Sequence, residues 1–380
     1  MRLVPERLLG QVLPRAYRFD PRELPPAPQA PAAPRRLYIT PANFAGQGWQ
    51  WAHAITEHVP DAAAVNMAVR SGDGFAHPTD YSVPLGFYTA SRRWQRRERD
   101  IVSRGFTHVL VEAERHPFGA VLDETVSSQV RRLIRHGVGV VMLCHGTDIR
   151  LPSRHAAANP DSPFLGSLAE AAPSLERVAA RNRRLLDELG LPVLVTTPDL
   201  ILDVPYAHWL PSIIEPERWA TASGVLQRTR PVVVHAPSSA ATKGSQQIDP
   251  ILSRLDAEGV ISYRRVFGVP FSEMPGLYAD SDIVVDQISF GDYGVVALEA
   301  MAAGRVVVSH VSPHARSQVL GATGFEVPVV EATAARLDEV VRGIVTDRQR
   351  YREVARQAVD FVTEIHDGRR SAGILAEYLR

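Results

Sequence analysis

Short apolar runs alternate with segments of helical spacing through the first half of the chain. Arg177–Leu189 repeats apolar residues at helical intervals, with Val178, Leu185 and Leu189 on one face. Strands that alternate with helices favour a doubly wound parallel sheet. Four other runs, rich in apolar and β-branched residues, have the length of buried parallel strands: Leu37–Thr40, His108–Glu112, Val138–Cys144 and Pro192–Thr196.

The second half repeats this order more regularly. The predicted strands are Pro231–His235, Tyr263–Phe267, Asp282–Asp286 and Arg305–Ser309. The predicted helical segments are Ile248–Leu255, Met274–Tyr278, Val295–Ala303, Leu337–Ile344 and Tyr351–Ile365. Because the βαβα order occurs twice, the sequence predicts an α/β protein with two Rossmann-like, doubly wound parallel-sheet domains that face each other across a cleft.

A proline-rich stretch and the repeated pattern divide the chain. Residues 20–36 are rich in proline and predicted to be extended, so 1–36 form an N-terminal arm and linker. We expect an N-terminal domain over 37–212, a C-terminal domain over 213–365, and a last helix over 366–380 positioned to pack back on the N-domain. Ligands of such sheets bind at the carboxyl ends of the strands, so the inter-domain cleft is the expected site.

Composition narrows the range of functions. Lys and Arg number 42, and Asp and Glu also number 42, so the zero net charge argues against a protein built mainly to bind nucleic acid. The single cysteine, Cys144, excludes an intrachain disulfide, and its apolar surroundings favour a buried structural thiol over a nucleophile. With no apolar run long enough for a membrane span and no signal-peptide core, the sequence predicts a cytoplasmic protein.

Lys243 is the only lysine among 380 residues. It lies in VVVHAPSSAATKGSQQI, residues 232–248, which has the pattern of a strand, a loop and the start of a helix. Such junctions bind phosphate groups in α/β proteins. The alternative is that the one lysine of an arginine-rich chain falls there by chance.

Four segments, taken in order, resemble glycosyltransferases of the GT-B fold, most closely the large retaining family 4, which includes many bacterial transferases of cell-surface polysaccharide synthesis. Residues 231–311, with HAPSSAATKGSQQI and GDYGVVALEAMAAG, resemble the donor-binding C-terminal domain. HGTDIR at 145–150 resembles a motif that follows an N-domain strand, and PANFAGQGWQWAHAI resembles the first turn of that domain. TTPDLILDVPYAHWLP resembles the approach to the domain crossover. Together they span most of residues 37–311.

The resemblance implies transfer of a sugar, with retention, from a nucleotide diphosphate sugar to a saccharide or lipid-linked acceptor. The donor is a co-substrate, and neither a cofactor nor a metal is expected. Lys243 would contact the donor diphosphate, with Thr242 and Ser245 as further hydroxyl donors, although helix capping explains Ser245 equally well. Glu299 would accept two hydrogen bonds from the nucleotide ribose, unless it belongs to a solvated helix face.

Further candidate donor contacts lie in loops. Gly291 and Gly294 permit close backbone approach and offer amides to an anion, or form an ordinary glycine turn. Gly46 and Gly48 would bring N-domain amides to the same phosphates, or form a tight β–α turn. The remaining candidates are Asp292, Tyr293, Ser238, Asp286 and Gln287.

Two histidines compete for the catalytic position. His145 ends a predicted strand and should face the cleft, with Asp148 one turn further on. His116 follows the strand in HVLVEAER and has the same topological claim. By resemblance, a cleft histidine of this kind contacts the transferred sugar, while a histidine satisfied by local backbone is the alternative for each.

The sequence departs from the family pattern at two positions. Gly291 stands where family 4 usually has an acidic residue, with Asp292 adjacent, and Ser238 stands where it usually has an arginine. Arg264 or Arg265 would have to supply charge from a neighbouring strand. Asp280-Ser281-Asp282 has the spacing of a metal motif, but its position before an apolar strand favours a helix-end and strand-start role.

The segment 91–100, SRRWQRRERD, is an arginine-dense helix candidate that contains Trp94. A solvated face is the simpler interpretation. The alternative is peripheral contact of the Arg92–Arg99 region, extended by Arg131, Arg132 and Arg135, with anionic lipid or a lipid-linked acceptor at the inner face of the membrane. Two other functions remain open at this point: a non-catalytic GT-B scaffold for a partner transferase, and a sugar-nucleotide epimerase.

Overall fold

Two parallel β-sheets organise the computed structural model, which describes residues 13–14, 17–70, 77–120, 124–237 and 239–380. The first sheet has seven strands in the order β3-β2-β1-β4-β5-β6-β7. Its strands are β1 (Arg35–Thr40), β2 (Ala62–Arg70), β3 (Tyr81–Pro84), β4 (His108–Glu112), β5 (Gly139–Cys144), β6 (Val193–Val195) and β7 (His208–Trp209).

The second sheet has five strands in the order β12-β11-β10-β8-β9. All its pairings are parallel, as they are in the first sheet. Its strands are β8 (Val232–His235), β9 (Ser262–Arg265), β10 (Ile283–Val285), β11 (Val306–Ser309) and β12 (Val330–Glu331).

Helices connect the strands of both sheets. Those before β8 are α1 (Gln47–His58), α2 (Leu85–Ala90), α3 (Arg92–Gly105), α4 (Val126–Arg135), α5 (Pro152–Ala158), α6 (Ala172–Leu189) and α7 (Pro216–Trp219). Those after β8 are α8 (Ala240–Lys243), α9 (Ser245–Ala257), α10 (Met274–Ala279), α11 (Val295–Ala302), α12 (Pro313–Thr323), α13 (Leu337–Thr346), α14 (Arg348–Ile365) and α15 (Arg369–Glu377). Short 3-10 turns lie at Phe44–Gly46, Pro163–Leu165, Pro198–Leu202 and Ala334–Arg336.

The predicted fold class is confirmed, because two separate parallel sheets with crossover helices are present. Sequence reasoning missed four strands: β2, β3, β7 and β12. The strand β2 has the sequence AAAVNMAVR, whose alanines favour a helix. It is a strand because Arg35–Ile39 of β1 pair with residues 62–66 across the sheet, so tertiary pairing overrides local propensity.

The C-terminal helix α15 lies against α1. Ala372, Leu375 and Leu379 share a buried apolar cluster with Trp51 and Ile55 of α1. Gly368, which precedes α15, is close enough that an added Cβ would lie 3.2 Å from Ala54. The division of the chain into segments at 36, 212 and 365 stays a prediction.

The arginine-rich helix α3 is only partly a solvated face. Trp94 is fully buried, as are Gln95 and Glu98, so the tryptophan is not available to a membrane surface. Arg99 pairs with Glu124 at 3.5 Å and Arg132 of α4 pairs with the same carboxylate at 3.1 Å. The two arginine segments are therefore neighbours, as predicted, but part of their charge is neutralised.

Among the described helices, none is both long enough and apolar enough to cross a bilayer.

Candidate functional site

A cleft of about 1360 Å3 separates the carboxyl ends of the two sheets. Its N-domain wall includes His116, His145 and Asp148, and its C-domain wall includes Thr242, Tyr293, Gly294 and Val295. Parallel strands bring their carboxyl ends to one edge of a sheet, so residues distant in sequence meet there. The structure thus brings His116, His145 and Gly294 to one cleft, while Gly291 does not line it.

His145 follows β5 and is held by aromatic and acidic neighbours. Its ring contacts Phe44 edge-on at a centroid distance of 4.9 Å. Its Nε2 lies 3.2 Å from Glu112 Oε1 but forms no hydrogen bond within the described chain. Glu112 also accepts hydrogen bonds from the N–H groups of Ala42 and Asn43, which fixes the loop after β1 against the histidine.

Asp148 shapes the turn that carries His145. Its Oδ2 accepts a hydrogen bond from the His145 N–H at 2.8 Å, and its Oδ1 accepts one from the Gly146 N–H. Both carboxylate oxygens are thus used by backbone donors. The observed contacts of Asp148 are those of a residue that positions the histidine.

His116 lies on a strained turn after β4. Ala113 and Glu114 adopt φ values of 56° and 51°, a left-handed conformation that side chains with a Cβ rarely take. Burial has the largest effect on the pKa of the half-buried His116 and lowers it. The positive charge of the nearby Arg181 lowers the pKa further. The lowered pKa favours the neutral form of the ring.

Glu114 is a cleft residue that sequence reasoning missed. It is buried, and it accepts hydrogen bonds from the Cys144 thiol at 3.1 Å and from Asn182 Nδ2 at 3.5 Å. Burial and the charge of Asp148 raise its pKa well above the usual range. The signal available in the sequence was an acidic residue just after a buried strand, the same position that singled out His116.

The predicted buried position of Cys144 is confirmed. Its thiol, with Glu114 and Asp148, sets three ligand atoms within 4.8 Å of one another, a spacing that a metal ion could bridge. Burial raises the pKa of both the thiol and Glu114, which disfavours the deprotonated forms that bind metals. The same shift disfavours Cys144 as a nucleophile.

Lys243 and Asp286 form an ion pair beside the cleft residue Gly294, although neither lines the cleft itself. Lys243 Nζ lies 2.8 Å from Asp286 Oδ1, and the Gly294 N–H donates to Asp286 Oδ2 at 3.3 Å. A Cβ on Gly294 would lie 3.2 Å from Lys243 Nζ, so the absence of a side chain lets the ammonium group reach the start of α11. The fold thus brings three predicted donor residues together at a helix N-terminus.

The loop 291–293 has a different arrangement from the one expected. Gly291 does take the predicted positive φ, at 76°. Asp292 is buried and feels the charges of Asp199 and Arg150 from the N-domain, and its contact with the donor stays a prediction. Tyr293 lines the cleft, and its ring packs edge-on against His366 at 5.8 Å.

Gln287 does not line the cleft. Its Oε1 accepts hydrogen bonds from the N–H groups of Ser289 and Phe290, both at 2.7 Å, and its Nε2 donates to the carbonyl of Asp292. The side chain thus holds the loop that precedes α11.

Glu299 is not on a solvated helix face, because only 5% of its surface is exposed. The Tyr278 hydroxyl donates to Glu299 Oε2 at 3.1 Å. Burial raises the pKa of Glu299 to about 8, while Tyr278, Arg218 and Lys243 act in the opposite direction. A carboxyl with this pKa is largely protonated at pH 7, and in that form it both donates and accepts a hydrogen bond.

Arg218 of α7 is a second cation near Glu299 that the sequence did not single out. Its guanidinium lies 4.2 Å from the ring centroid of Phe271. Arg265, which was expected to compensate for the missing arginine, pairs instead with Asp249 at 2.7 Å. Arg264 lies 3.9 Å from Asp280, so neither strand arginine is directed to Lys243.

The remaining predicted polar contacts serve the fold. Ser245 is buried, and its hydroxyl bonds to His235 Nε2 at 2.8 Å, so it is neither a helix cap nor free for a phosphate. Thr242 Oγ1 donates to the Ser239 carbonyl at 3.2 Å and lines the cleft. Ser238 lies outside the described residues.

Gly46 and Gly48 form the tight turn into α1. Gly46 has a φ of 77°, and a Cβ on Gly48 would lie 3.2 Å from Asn43 Oδ1. Neither glycine lines the cleft, whereas Phe44, Ala45 and Gln47 do. Their contact with phosphate stays a prediction.

The expected role of Asp280 and Asp282 at a helix end and strand start is confirmed. Asp280 follows α10 as its C-terminal cap residue. Asp282 is buried and accepts hydrogen bonds from the N–H groups of Leu226 at 2.7 Å and Val232 at 2.9 Å. Both oxygens are therefore occupied by the chain itself.

No family model matches this sequence, and no curated protein matches it. Among solved structures, it is similar to a sucrose-phosphate synthase from Thermosynechococcus elongatus, at 12% identity and a TM-score of 0.57 over 90% of this chain and 98% of that one. It is also similar to HepE of Anabaena, solved with UDP and glucose, at 14% identity and a TM-score of 0.56. This match covers 91% of this chain and 99% of HepE. A glycosyltransferase from Rickettsia africae matches at 12% identity and a TM-score of 0.55 over 92% and 98%. These similarities establish the two-domain GT-B fold.

Proposed function

We propose that this chain is a glycosyltransferase that moves a sugar from a nucleotide diphosphate sugar to an acceptor oxygen. One observation carries the proposal: Lys243 lies beside Gly294 at the start of α11, and Gly294 lines the same cleft as His145 and His116. A cation and a helix N-terminus suit a diphosphate. Similarity in fold to HepE, which was solved with UDP and glucose, supports a nucleotide-sugar donor.

The diphosphate would bind at the N-terminus of α11. Lys243 and the N–H groups of the first helical turn carry positive charge there. As the bond between sugar C1 and the diphosphate oxygen breaks, negative charge grows on the leaving group and these fixed groups stabilise it. The Lys243–Asp286 pair keeps the ammonium group in position before the donor binds.

Glu299 would bind the ribose diol of the donor. It lies in α11 and is held by the Tyr278 hydroxyl. With a pKa of about 8, the carboxyl accepts a hydrogen bond from one ribose hydroxyl and, when protonated, donates one to the other. Arg218 would add positive charge at the same end of the cleft.

The acceptor would enter from the N-domain wall. Its hydroxyl oxygen forms a bond to sugar C1 while the C1–diphosphate bond breaks, and its proton leaves with the nucleoside diphosphate. His145 or His116 would contact the transferred sugar.

We further propose that transfer retains the configuration of the sugar and requires no metal. We also propose a role in bacterial cell-surface glycan synthesis, in the cytoplasm and with the Arg92–Arg99 region at the membrane.

Donor binding and hydrolysis provide the test. The purified chain would be incubated with radiolabelled UDP-, GDP- and dTDP-sugars, with and without EDTA, and the released sugar and nucleotide measured. We expect one nucleotide to bind and its sugar to be released slowly in the absence of acceptor, with no effect of EDTA. The double variant Lys243→Met, Asp286→Asn, which removes the charged pair, serves as the matched control.

Absence of binding and hydrolysis across the panel would contradict the proposal. Tight binding to a partner transferase, with no thermal shift from any nucleotide, would instead indicate a non-catalytic scaffold. Release of an epimerised nucleotide sugar without acceptor would indicate an epimerase.

A further inference from the structure

Three arginines on the N-domain wall of the cleft have no part in the site described above. Arg115 follows the strained turn after β4, and Arg181 and Arg184 lie on the cleft side of α6. All three side chains are exposed. Two elements thus contribute arginines to the same wall of the cleft, which His116 also lines.

None of the three forms an ion pair within the described part of the chain. The Arg115 guanidinium lies 5.1 Å from the ring centroid of Phe44, and Arg181 contacts only the neutral amide oxygen of Asn182, at 3.3 Å and 3.4 Å. On the outer side of the same helix, Arg183 pairs with Asp187 at 3.0 Å. Arg181 and Arg184 therefore remain available for a ligand in the cleft, while Arg177 of the same helix is unpaired among the described residues but lies outside the cleft lining.

The acidic residues of the same wall do not cancel this charge. Glu124 is already paired with Arg99 and Arg132. Asp148 uses both oxygens to bind backbone N–H groups. Burial raises the pKa of Glu114, which favours its neutral form. Glu188 is the one exposed acidic residue of this wall without an ion pair in the described chain, against three guanidinium groups.

Arg181 also lies within electrostatic reach of His116, since its charge contributes to lowering the pKa of that ring after the larger effect of burial. An anion held here would therefore lie next to the candidate catalytic histidine. Leu175, Val178 and Leu185 of α6 line the same wall, so an apolar strip accompanies the cations.

We propose that Arg115, Arg181 and Arg184 bind a phosphate or phosphodiester group of the acceptor. Guanidinium groups bind phosphate oxygens in pairs of parallel hydrogen bonds, and three of them exceed the charge of Glu188 by about +2, which suits a phosphate group of charge about −1 to −2. The inference rests on the proposed transferase function, because it assigns the acceptor to this wall. The phosphate belongs either to a soluble sugar phosphate or to a lipid headgroup.

The test compares Arg181→Gln, Arg184→Gln and the double variant with Arg177→Gln, a matched control on α6 that is exposed and does not line the cleft. Binding of N-acetylglucosamine 1-phosphate would be titrated with UDP at saturation, so that the Lys243 side is occupied. A second arm measures sedimentation with phosphatidylcholine vesicles with and without phosphatidylglycerol. Thermal denaturation verifies that each variant is folded.

We expect binding in one arm to weaken roughly tenfold for each arginine removed, and to be unchanged in Arg177→Gln. If the Arg181 and Arg184 variants lose binding of the soluble sugar phosphate, the ligand is a sugar phosphate. If they lose binding to the vesicles, the ligand is a lipid headgroup. Binding that is insensitive to Arg181 and Arg184, equally sensitive to Arg177, or absent from both arms overturns the inference. If none of UDP, GDP and dTDP binds but the arginine-dependent phosphate binding persists in Lys243→Ala, the donor proposal fails while the anion site stands.

Discussion

The ammonium group of Lys243 and the carboxylate of Asp286 form an ion pair at 2.8 Å between two segments that are 43 residues apart in the chain. Asp286 is almost fully enclosed, with 1% of its side chain exposed, while Lys243 retains 16%. The lysine is therefore part of the folded architecture as well as a cation for a ligand. This double role makes a simple alanine substitution ambiguous.

Lys243→Ala is expected to lower stability and to weaken donor binding. Removing the ammonium group leaves Asp286 buried with one backbone donor, which costs about 1.5–3 kcal/mol in the free energy of unfolding. Urea denaturation at pH 7 measures that loss. Lys243→Arg should not restore donor affinity fully, because a planar guanidinium does not fit the space beside Gly294 as an ammonium group does.

The double variant Lys243→Met, Asp286→Asn separates the two effects. It should regain most of the stability lost in Lys243→Ala, since no buried charge is left unpaired. Donor binding should remain at least about tenfold weaker than in the wild type. Recovery of both stability and nucleotide affinity would show that Lys243 has only a structural role.

Glu299→Gln should stabilise the protein in a pH-dependent way. The folded-state pKa of about 8 is above the ordinary value of 4.5, so the native state binds more protons between these pH values and loses stability as pH rises through them. The amide does not ionise, and it still accepts the hydrogen bond from Tyr278. The variant should match the wild type near pH 4 and exceed it by about 1–3 kcal/mol at pH 9.

Denaturant midpoints of both proteins at pH 4, 7 and 9 measure this difference. A constant offset across the range would mean that Glu299 has the same pKa in the folded and unfolded states. Nucleotide affinity measured over the same range would show which protonation state binds the ribose.

Asp148→Ala should lower activity through His145. The substitution removes the acceptors of the His145 and Gly146 N–H groups. The free energy of unfolding should fall by about 1–2 kcal/mol, and the turn should no longer be fixed in one conformation. Sugar transfer should fall, and His145→Ala in the same background should reduce it little further, because the ring is already displaced. Multiplicative losses in the double variant, with stability unchanged in Asp148→Ala, would contradict a positioning role.

Arg150→Ala should destabilise the contact between the domains. Arg150 is buried, donates to Asp199 Oδ2 at 2.7 Å and 3.0 Å, and lies 4.8 Å from the ring centroid of Phe290 in the C-domain. Without Arg150, the Asp199 carboxylate loses its counter-charge while it lies near the buried Asp292. We expect the free energy of unfolding, measured by urea denaturation, to fall by about 3 kcal/mol. Arg150→Lys should recover only part of this stability, because lysine lacks the planar guanidinium that donates two hydrogen bonds to Asp199. An unchanged unfolding midpoint in Arg150→Ala would refute this account.

Much of the fold could be predicted because the strands that carry it are short, buried and rich in β-branched residues. Runs such as His108–Glu112 and Val232–His235 are nearly continuous apolar sequence bounded by polar residues, and they form strands for that reason. The strand Ala62–Arg70 could not be found in this way, since its alanines acquire extended structure only by pairing with β1. The cleft was predictable from topology, because parallel strands end at one edge.

The sequence by itself determined the two-sheet α/β architecture, the strand–loop–helix around Lys243, and the cleft-facing ends of the strands before His116 and His145. Local periodicity and turn chemistry decide these features. Only the tertiary structure decided that Asp286 pairs with Lys243, that Asp292 turns to the N-domain, that Glu114 is buried beside Cys144, and that Arg115 and Arg181 line the same cleft. Each is a contact between segments far apart in the chain, and its geometry depends on how two domains pack rather than on the spacing of residues along either one.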